Sequence, residues 1–472
     1  MTFPLENDIS TQATVIFVDF LRQVSLAADL AEKHMKECDK EQLSGLWTVS
    51  SLKKTLESEL LSSFDGPLGV EPTFTALLQM YEDQGRPWKC NFSEKPESHS
   101  KTSDSYQGKL KLTSLHEAAR SQNMGRIAEA IDDAEDVSAR DILGWTPLHY
   151  GVRQHDVVTA LLRSPRTDIN AQDLIEWTPL HYACKSQEKA DEKIDYEAAR
   201  LYGTVGSMHY NTILRLLDRG ADINAQGRDG VAPIHCTAMT GFVEAVKLLT
   251  KAGADINVLD GSGKTALHWA AFYGKQATVE YLWNIAKRTL RDREGRTSLH
   301  LAVISGEWET ARWFINNDAD VMARDQYMRI PLHQAAWDGM LDVVQLMCEK
   351  SPTAANTSDS AGLTPLRCAV ENGQEAVVQW LLEHTGAEVN HIWQGNSLVL
   401  SAIRGSHAGV VEVLIKHGAS LTGRSRNGMS LLHESIRYGN EEITEMLLKA
   451  GVRDSSDDDG NSVIKMAKGV EK

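Results

Sequence analysis

The sequence predicts an all-α solenoid of short helix-turn-helix units with hairpin loops between them, preceded by a small helical N-terminal region. Three observations lead to this fold class: a four-residue phrase recurs at a nearly constant interval, glycines recur at fixed offsets, and each unit carries two amphipathic patterns. The chain has 472 residues, whereas a single hydrophobic core stops growing near roughly 250–300 residues. An array of stacked units is therefore expected.

The recurring phrase reads Thr-Pro-Leu-His or a close variant of it. Its copies begin at Thr113, Thr146, Thr178, Ala232, Thr265, Thr297, Ile330, Thr364, Ser397, Ser430 and Ser462. The successive intervals are 33, 32, 54, 33, 32, 33, 34, 33, 33 and 32 residues. The single long interval predicts an insertion at about residues 187–208, inside the third repeat.

Capping residues and apolar spacing predict two helices in each unit. Threonine is a good N-cap, because its hydroxyl accepts a free backbone N–H, and proline suits the first helical position, where no N–H is needed. A short helix with small residues follows, and a second helix carries valine and leucine pairs at i, i+4 spacing. That second helix ends at a glycine such as Gly220 or Gly253, which can adopt a positive φ.

This pattern resembles the ankyrin repeat family over roughly residues 108–472, with eleven copies in phase. The resemblance implies an elongated, curved solenoid whose concave face is lined by the first helices and the hairpins. It also implies a rigid surface for protein partners without catalytic chemistry. We expect local distortions where the copies are imperfect, as at Ser351-Pro352-Thr353 and in the unit that begins at Ser397.

The periodicity divides the chain into three parts: a helical N-terminal region at 1–88, a polar linker at 89–108 and the repeat array at 109–472. The N-terminal pattern from Val15 to Val24 is weakly similar to the helical domains that precede ankyrin arrays in many fungal proteins. The last unit, from Ser462, is expected to be a polar C-terminal cap.

The composition indicates which kinds of ligand and which cellular compartment to expect. Lys and Arg number 49 and Asp and Glu number 65, so the net charge is −16; nucleic acid is therefore not an expected ligand. The six cysteines are scattered, which indicates neither a disulfide framework nor a zinc site. We expect no metal, no cofactor, no membrane span and no signal peptide, and hence a cytoplasmic or nuclear protein.

Recurring histidines and aspartates invite a catalytic or metal-binding interpretation. Their fixed register favours a structural one, and the resemblance implies that each histidine bonds the neighbouring loop. The histidines are His116, His149, His181, His235, His268, His300, His333 and His433. The aspartates Asp141, Asp173, Asp229, Asp260, Asp292 and Asp325 are expected to form turns by accepting backbone N–H bonds. No catalytic residue is predicted.

The side chains at positions that the repeat pattern does not fix predict an aromatic, apolar groove with charged ends. Its residues are Trp145, Tyr150, Trp177, Tyr182, Met239, Trp269, Phe272, Tyr273 and Trp337. Aromatic side chains concentrated in a groove are typical of binding hot spots. The partner would be a protein with an apolar or aromatic segment, and the acidic charge would favour basic flanks on it.

Two other functions remain open on the sequence. The insertion at about 187–208 could cover the groove and enclose a small apolar ligand, as in a small-molecule-binding protein or a non-standard, for example biosynthetic, enzyme. Alternatively, the N-terminal helices could oligomerise, which would make the chain a signalling or assembly protein.

Overall fold

The computed structural model describes residues 112–133, 136–185, 208–425 and 428–453. Within these ranges lie twenty α-helices, one 3₁₀ helix and one short antiparallel hairpin, so the all-α prediction is confirmed. The predicted N-terminal region at 1–88, the linker at 89–108, nearly all of the 187–208 insertion and the unit from Ser462 lie outside the described residues.

The chain divides into two compact units, one ending at Asp222 and the other beginning at Ile223. The described helices of unit 1 belong to the first three repeats. They are α1 (Ser114–Arg120), α2 (Met124–Asp133), α3 (Pro147–Gly151), α4 (His155–Leu161), α5 (Pro179–Lys185) and α6 (Met208–Asp218). Helices α5 and α6 are the two helices of the third repeat, and the predicted insertion falls between them in sequence.

Unit 2 contains the remaining described repeats, each again with a first and a second helix. The helices are α7 (Pro233–Thr240), α8 (Val243–Lys251), α9 (Ala266–Phe272), α10 (Gln276–Trp283), α11 (Ser298–Ile304), α12 (Trp308–Asn316), α13 (Pro331–Asp338), α14 (Leu341–Lys350), α15 (Pro365–Glu371), α16 (Glu375–His384), α17 (Leu398–Arg404), α18 (Ala408–Lys416), α19 (Leu431–Arg437) and α20 (Glu441–Lys449). Strand β1 (Ile392–Trp393) pairs antiparallel with β2 (Asn396–Ser397).

Thr265 and Gly253 show the predicted helix caps. The Thr265 hydroxyl accepts a hydrogen bond from the backbone N–H of His268, and Thr265 itself has extended backbone angles. At the other end, Gly253 follows α8 with φ of 99°, a left-handed conformation that side chains with a Cβ disfavour. These caps satisfy backbone groups that the short helices leave without internal partners.

The core of each unit lies between consecutive repeats, because helices pack on their equivalents in the next repeat. Helix α9 packs against both α7 and α11, for example, and α17 packs against both α15 and α19. Ala270 and Ala271 are fully buried in α9, where their small side chains let the backbones approach closely. A distortion occurs where the sequence predicts one: the 3₁₀ helix Pro352–Asn356 follows α14.

Candidate partner-binding surface

The recurring aspartates organise the hairpin that precedes each first helix. In the fifth repeat, Asp260 Oδ1 accepts hydrogen bonds from the backbone N–H groups of Ser262 and Lys264, both at 2.8 Å. Asp260 Oδ2 accepts a bond from Trp269 Nε1, also at 2.8 Å. Burial alone would raise the pKa of Asp260, but these hydrogen bonds outweigh it and hold the pKa below its usual value.

The turn-forming role of the aspartates is thus confirmed, with one error of register. Asp229 lies exposed, two residues beyond the equivalent position, which Gly227 occupies. Asp359, which the sequence analysis did not include, holds the equivalent position in its own repeat. Its Oδ1 accepts bonds from the N–H groups of Ala361 and Leu363, both at 2.8 Å.

In unit 1 the second carboxylate oxygen binds the rings of the predicted groove. The Tyr150 hydroxyl donates to Asp141 Oδ2 at 2.7 Å. Asp173 Oδ2 accepts from the Tyr182 hydroxyl at 2.5 Å and from Trp145 Nε1 at 3.2 Å. Burial raises the pKa values of both Asp141 and Asp173, and the hydrogen bonds from the tyrosines oppose that rise.

These rings also pack on one another. The ring centroids of Trp145 and Tyr182 are 4.8 Å apart, those of Trp145 and Tyr150 are 5.1 Å apart, and those of Trp177 and Tyr182 are 5.3 Å apart. Trp177 is only 5% exposed. Its ring therefore belongs to the packing of unit 1, which corrects its assignment to an open groove; the other three rings are half-buried.

Unit 2 exposes an apolar row at one repeated position, four residues after the histidine of the phrase. The position is held by Met239, Phe272, Ile304 and Trp337 in four consecutive repeats, and we call these residues the apolar row. Phe272 and Ile304 are each 37% exposed, Trp337 is 41% exposed and Met239 is half-buried. Side chains in a helix at i and i+4 lie on one face, so the row lies on the same face of each first helix as its histidine.

The other two predicted residues of unit 2 lie beside this row in the fifth repeat. Tyr273 is exposed, and its ring centroid lies 5.2 Å from that of Phe272 and 6.1 Å from that of Trp269. Trp269 is half-buried and fixed by its bond to Asp260. After Trp337 the equivalent positions are charged, namely Glu371, Arg404 and Arg437. The apolar row therefore has a polar end within unit 2.

The histidines act within the stack. The backbone N–H of Thr146 lies 3.0 Å from His149 Nδ1 and donates to it, which leaves the proton on Nε2. That Nε2–H donates to the carbonyl of Trp177, in the next repeat, at 3.3 Å. Burial lowers the pKa of His149 to about 3, so this ring is neutral at physiological pH. The bond from the histidine to the neighbouring loop, which the resemblance implies, is therefore present.

Arginine replaces the histidine in the eighth repeat. Arg367 is 1% exposed, and its Nε donates to Glu371 Oε1 at 2.8 Å. Its Nη1 donates to the carbonyl of Asn396 at 3.2 Å, and its Nη2 donates to Ser401 Oγ at 2.6 Å. One guanidinium thus makes the bond between repeats that histidine makes elsewhere and adds a second one. The sequence shows this arginine as the last residue of Thr-Pro-Leu-Arg, but the sequence analysis did not predict its bonds to the next repeat.

Within residues 112–133, 136–185, 208–425 and 428–453, no cluster of three or more His, Cys, Asp or Glu side chains could hold a metal ion. No helix there combines the length and apolar character that crossing a bilayer requires.

The chain also matches models of known families. A model of three ankyrin repeats matches residues 115–196, 196–292, 252–325 and 299–392, and a model of a single ankyrin repeat matches residues 427–458. Together these matches cover well over half of the chain.

Three relatives match parts of the chain. It is 36% identical over 95 residues to the "Probable 26S proteasome regulatory subunit p28" of Saccharomyces cerevisiae, covering 20% of the chain and 42% of that protein. It is 31% identical over 196 residues to the "Ankyrin repeat and SOCS box protein 16" of Mus musculus, covering 39% and 43%. It is 29% identical over 162 residues to the "Transient receptor potential cation channel subfamily A member 1 homolog" of Caenorhabditis elegans, covering 34% and 13%.

The chain thus spans less than half the length of each of these relatives. The phrase, the hairpin aspartate and the stacking histidine of the ankyrin repeat are all present in the described residues of this chain. The chain belongs to the ankyrin repeat family.

Proposed function

We propose that this chain is a non-catalytic scaffold that binds a protein partner through the apolar row of unit 2. Ankyrin repeats are in general protein-protein interaction modules. The observation that carries the proposal is the exposure of Phe272, Ile304 and Trp337 at one repeated position on successive first helices. Contiguous exposed apolar side chains are typical of binding surfaces.

The contacts around the row support a preorganised surface. Phe272 lies against Tyr273, and Trp269 is fixed by the bond from its Nε1 to Asp260. The Trp337 carbonyl accepts bonds from Asn372 Nδ2 at 2.6 Å and from Gln374 Nε2 at 2.9 Å, which tie this helix end to the next repeat. A rigid surface loses little conformational entropy when a partner binds.

The partner would insert an apolar or aromatic segment along the row. The chain's net charge of −16 favours basic flanks on those parts of the partner that lie beyond the row. The half-buried Trp145, Tyr150 and Tyr182 of unit 1 remain candidate contacts, each through the ring edge that packing leaves accessible. The yeast relative is named as a regulatory subunit, which supports a role in binding other proteins.

The test is affinity capture with the full chain from a native lysate, read by quantitative mass spectrometry. One bait carries Phe272→Ala, Ile304→Ala and Trp337→Ala together. A matched control carries Ile285→Ala and Leu448→Ala, which remove exposed apolar side chains elsewhere in unit 2. We expect proteins that the wild type and the control enrich and that the row variant loses at least tenfold.

Circular dichroism must first show that both variants keep the helical content and unfolding temperature of the wild type. If the folded row variant captures the same proteins in the same amounts, the apolar row is not the binding surface. Native mass spectrometry of the wild type would then test for a bound small molecule.

A further inference from the structure

A second repeated position in unit 2 runs beside the apolar row and carries cations. The residue just before the phrase is Lys264, Arg296 and Arg329 in the three repeats that contribute Phe272, Ile304 and Trp337. Lys264 Nζ lies 5.9 Å from the centroid of the Phe272 ring. Lys264 therefore lies next to an aromatic ring of the row, and Arg296 and Arg329 hold the same position at the hairpin end of the next two first helices.

The carboxylates near these cations are engaged in hydrogen bonds. Asp260 accepts hydrogen bonds from Trp269 and from the backbone N–H groups of the turn. Asp292 Oδ2 and Glu294 Oε2 both pair with Arg296, at 2.8 and 2.9 Å. Arg296 is thus neutralised, and the local carboxylates are largely committed to one guanidinium.

Two other cations have no carboxylate partner in the described part of the chain, and a third is paired but partly exposed. Among the described residues, neither Lys264 nor Arg293 has a carboxylate within ion-pair distance. Arg293 is exposed and lies against Gly263, the residue before Lys264, where a Cβ would be 3.1 Å from Arg293 Cγ. Arg329 pairs with Asp325 at 2.9 Å but keeps 39% of its side chain exposed.

The opposite side of the row, where each first helix turns into the second, is different. Glu307 lies over Gly274, so close that a Cβ on that glycine would overlap the carboxylate. Asp338 ends α13 beside Trp337 and accepts a bond from Gln334 Nε2 at 2.7 Å. Lys275 also lies on this side, over Gly241. The surface around the row is therefore cationic toward the hairpins and mixed toward the helix turns, where Glu307 is half-buried and Asp338 is exposed.

We propose that the row receives an acidic amphipathic segment of the partner protein, with apolar side chains on Phe272, Ile304 and Trp337 and carboxylates on Lys264, Arg293 and Arg329. This inference rests on the proposed function and specifies the chemistry of its partner. Opposite charges set register and exclude wrong partners. The segment's carboxylates face the hairpins, because its other edge meets Glu307 and Asp338.

The probe is a displayed library of random 12-residue peptides, selected on the full chain. We expect the selected peptides to pair two or more large apolar residues with a net charge of about −2 or below, because about −2 is what the two unpaired cations would neutralise. Binding of one selected peptide is then measured by fluorescence anisotropy against two variants, Lys264→Glu/Arg293→Glu and the control Lys251→Glu/Lys449→Glu on second helices.

The hairpin variant should weaken binding at least tenfold and the control less than twofold, and binding should weaken as salt rises. A selected pool that is neutral or basic, no selection above the blank, or equal binding by the two variants would overturn the inference. The proposed function fails separately, when the row variant captures partners as well as the wild type does. A neutral or basic pool lost with the row variant would preserve that function while rejecting the acidic partner.

Discussion

The Nη2 atom of Arg367 lies 2.6 Å from the Ser401 hydroxyl, across the boundary between the eighth and ninth repeats. Ser401 follows the position at which the ninth repeat has Leu400 in place of histidine. Arg367 thus replaces the stacking histidine of its own repeat and adds a bond to the first helix of the ninth repeat. Arg404 then continues the chain of polar contacts, donating to Glu434 in the tenth repeat at 3.0 Å.

Replacing Arg367 should destabilise this part of unit 2 strongly. Arg367→Ala removes three donors and leaves Glu371 and the Asn396 carbonyl without them, so we expect a loss of about 3 kcal/mol in the free energy of unfolding. Arg437→Ala is the matched control, because Arg437 is exposed and its guanidinium lies 3.9 Å from the Met429 sulfur, a weak acceptor. Urea denaturation measures both. Hydrogen exchange should quicken in α15 and α17 of the Arg367 variant, and equal stability of the two variants would contradict its role.

Acid should destabilise the array through the buried histidines. Burial lowers the pKa of His149 to about 3 and those of His268 and His300 to about 4, whereas an unfolded histidine titrates near 6.5. Between these values the unfolded chain binds more protons than the folded one. Stability is therefore fully present above about pH 6.5 and falls toward pH 4, by up to about 1.4 kcal/mol per pH unit for each histidine.

Calorimetry in buffers of different ionisation enthalpy measures this proton uptake directly. At pH 5.5 these three histidines should take up about three protons on unfolding, because at that pH an unfolded histidine is about 90% protonated. At pH 8 they should take up almost none. Unfolding at pH 5.5 without proton uptake would show that the folded rings are already charged.

The carboxylate of Asp173 should matter more than any one ring bound to it. Its Oδ1 accepts from the N–H groups of Ile175 and Trp177 at 3.0 and 2.9 Å, and its Oδ2 binds two side chains. We expect Asp173→Ala to cost about 3 kcal/mol and Tyr182→Phe about 1 kcal/mol. Tyr327→Phe, at an exposed ring in a hairpin, is the control and should be neutral. If Tyr182→Phe proves as costly as Asp173→Ala, the turn bonds are not the main contribution.

Alanine substitutions at two glycines of unit 2 would distinguish the stability cost of backbone strain from that of steric overlap. Gly253 has φ of 99° and open space where a Cβ would lie, whereas Gly230 has φ of 69° and a Cβ there would lie 2.8 Å from the backbone nitrogen of Gly261. Gly253→Ala should cost about 1–2 kcal/mol, the usual penalty of the left-handed conformation. Gly230→Ala should cost more, because a neighbouring backbone must also move. Urea midpoints compare them, and equal losses would rule out the overlap.

Repetition made the helices and the stacking roles predictable. A residue such as His149 or Asp260 recurs at a fixed register, so its contacts follow from the pattern, and so do the caps at Thr265 and Gly253. The exposed row was also visible, because Phe272 and Trp337 stand four residues after a histidine. Local patterns suffice where the contact is local or is made once in every repeat.

Contacts made in only one place could not be read from the pattern. The hydrogen bond between Trp145 and Asp173 joins residues 28 positions apart. The sequence of one repeat does not show whether an aromatic ring bonds the neighbouring repeat or faces solvent. Trp177 was assigned to the groove for this reason, although the ring is buried. The network of Arg367 was missed likewise, because its partners Asn396 and Ser401 lie in a repeat that departs from the pattern.

For several stacking histidines of the described residues the acceptor is a main-chain carbonyl, and the residues that provide it differ widely. His149, His235, His300 and His333 donate to the carbonyls of Trp177, Lys264, Arg329 and Leu363. Every amino acid offers that same oxygen, so the side chain at this site can be exchanged without removing the link between neighbours. The side chains at these positions can consequently change, and the partner that they recognise with them, while the stacking of the repeats is retained.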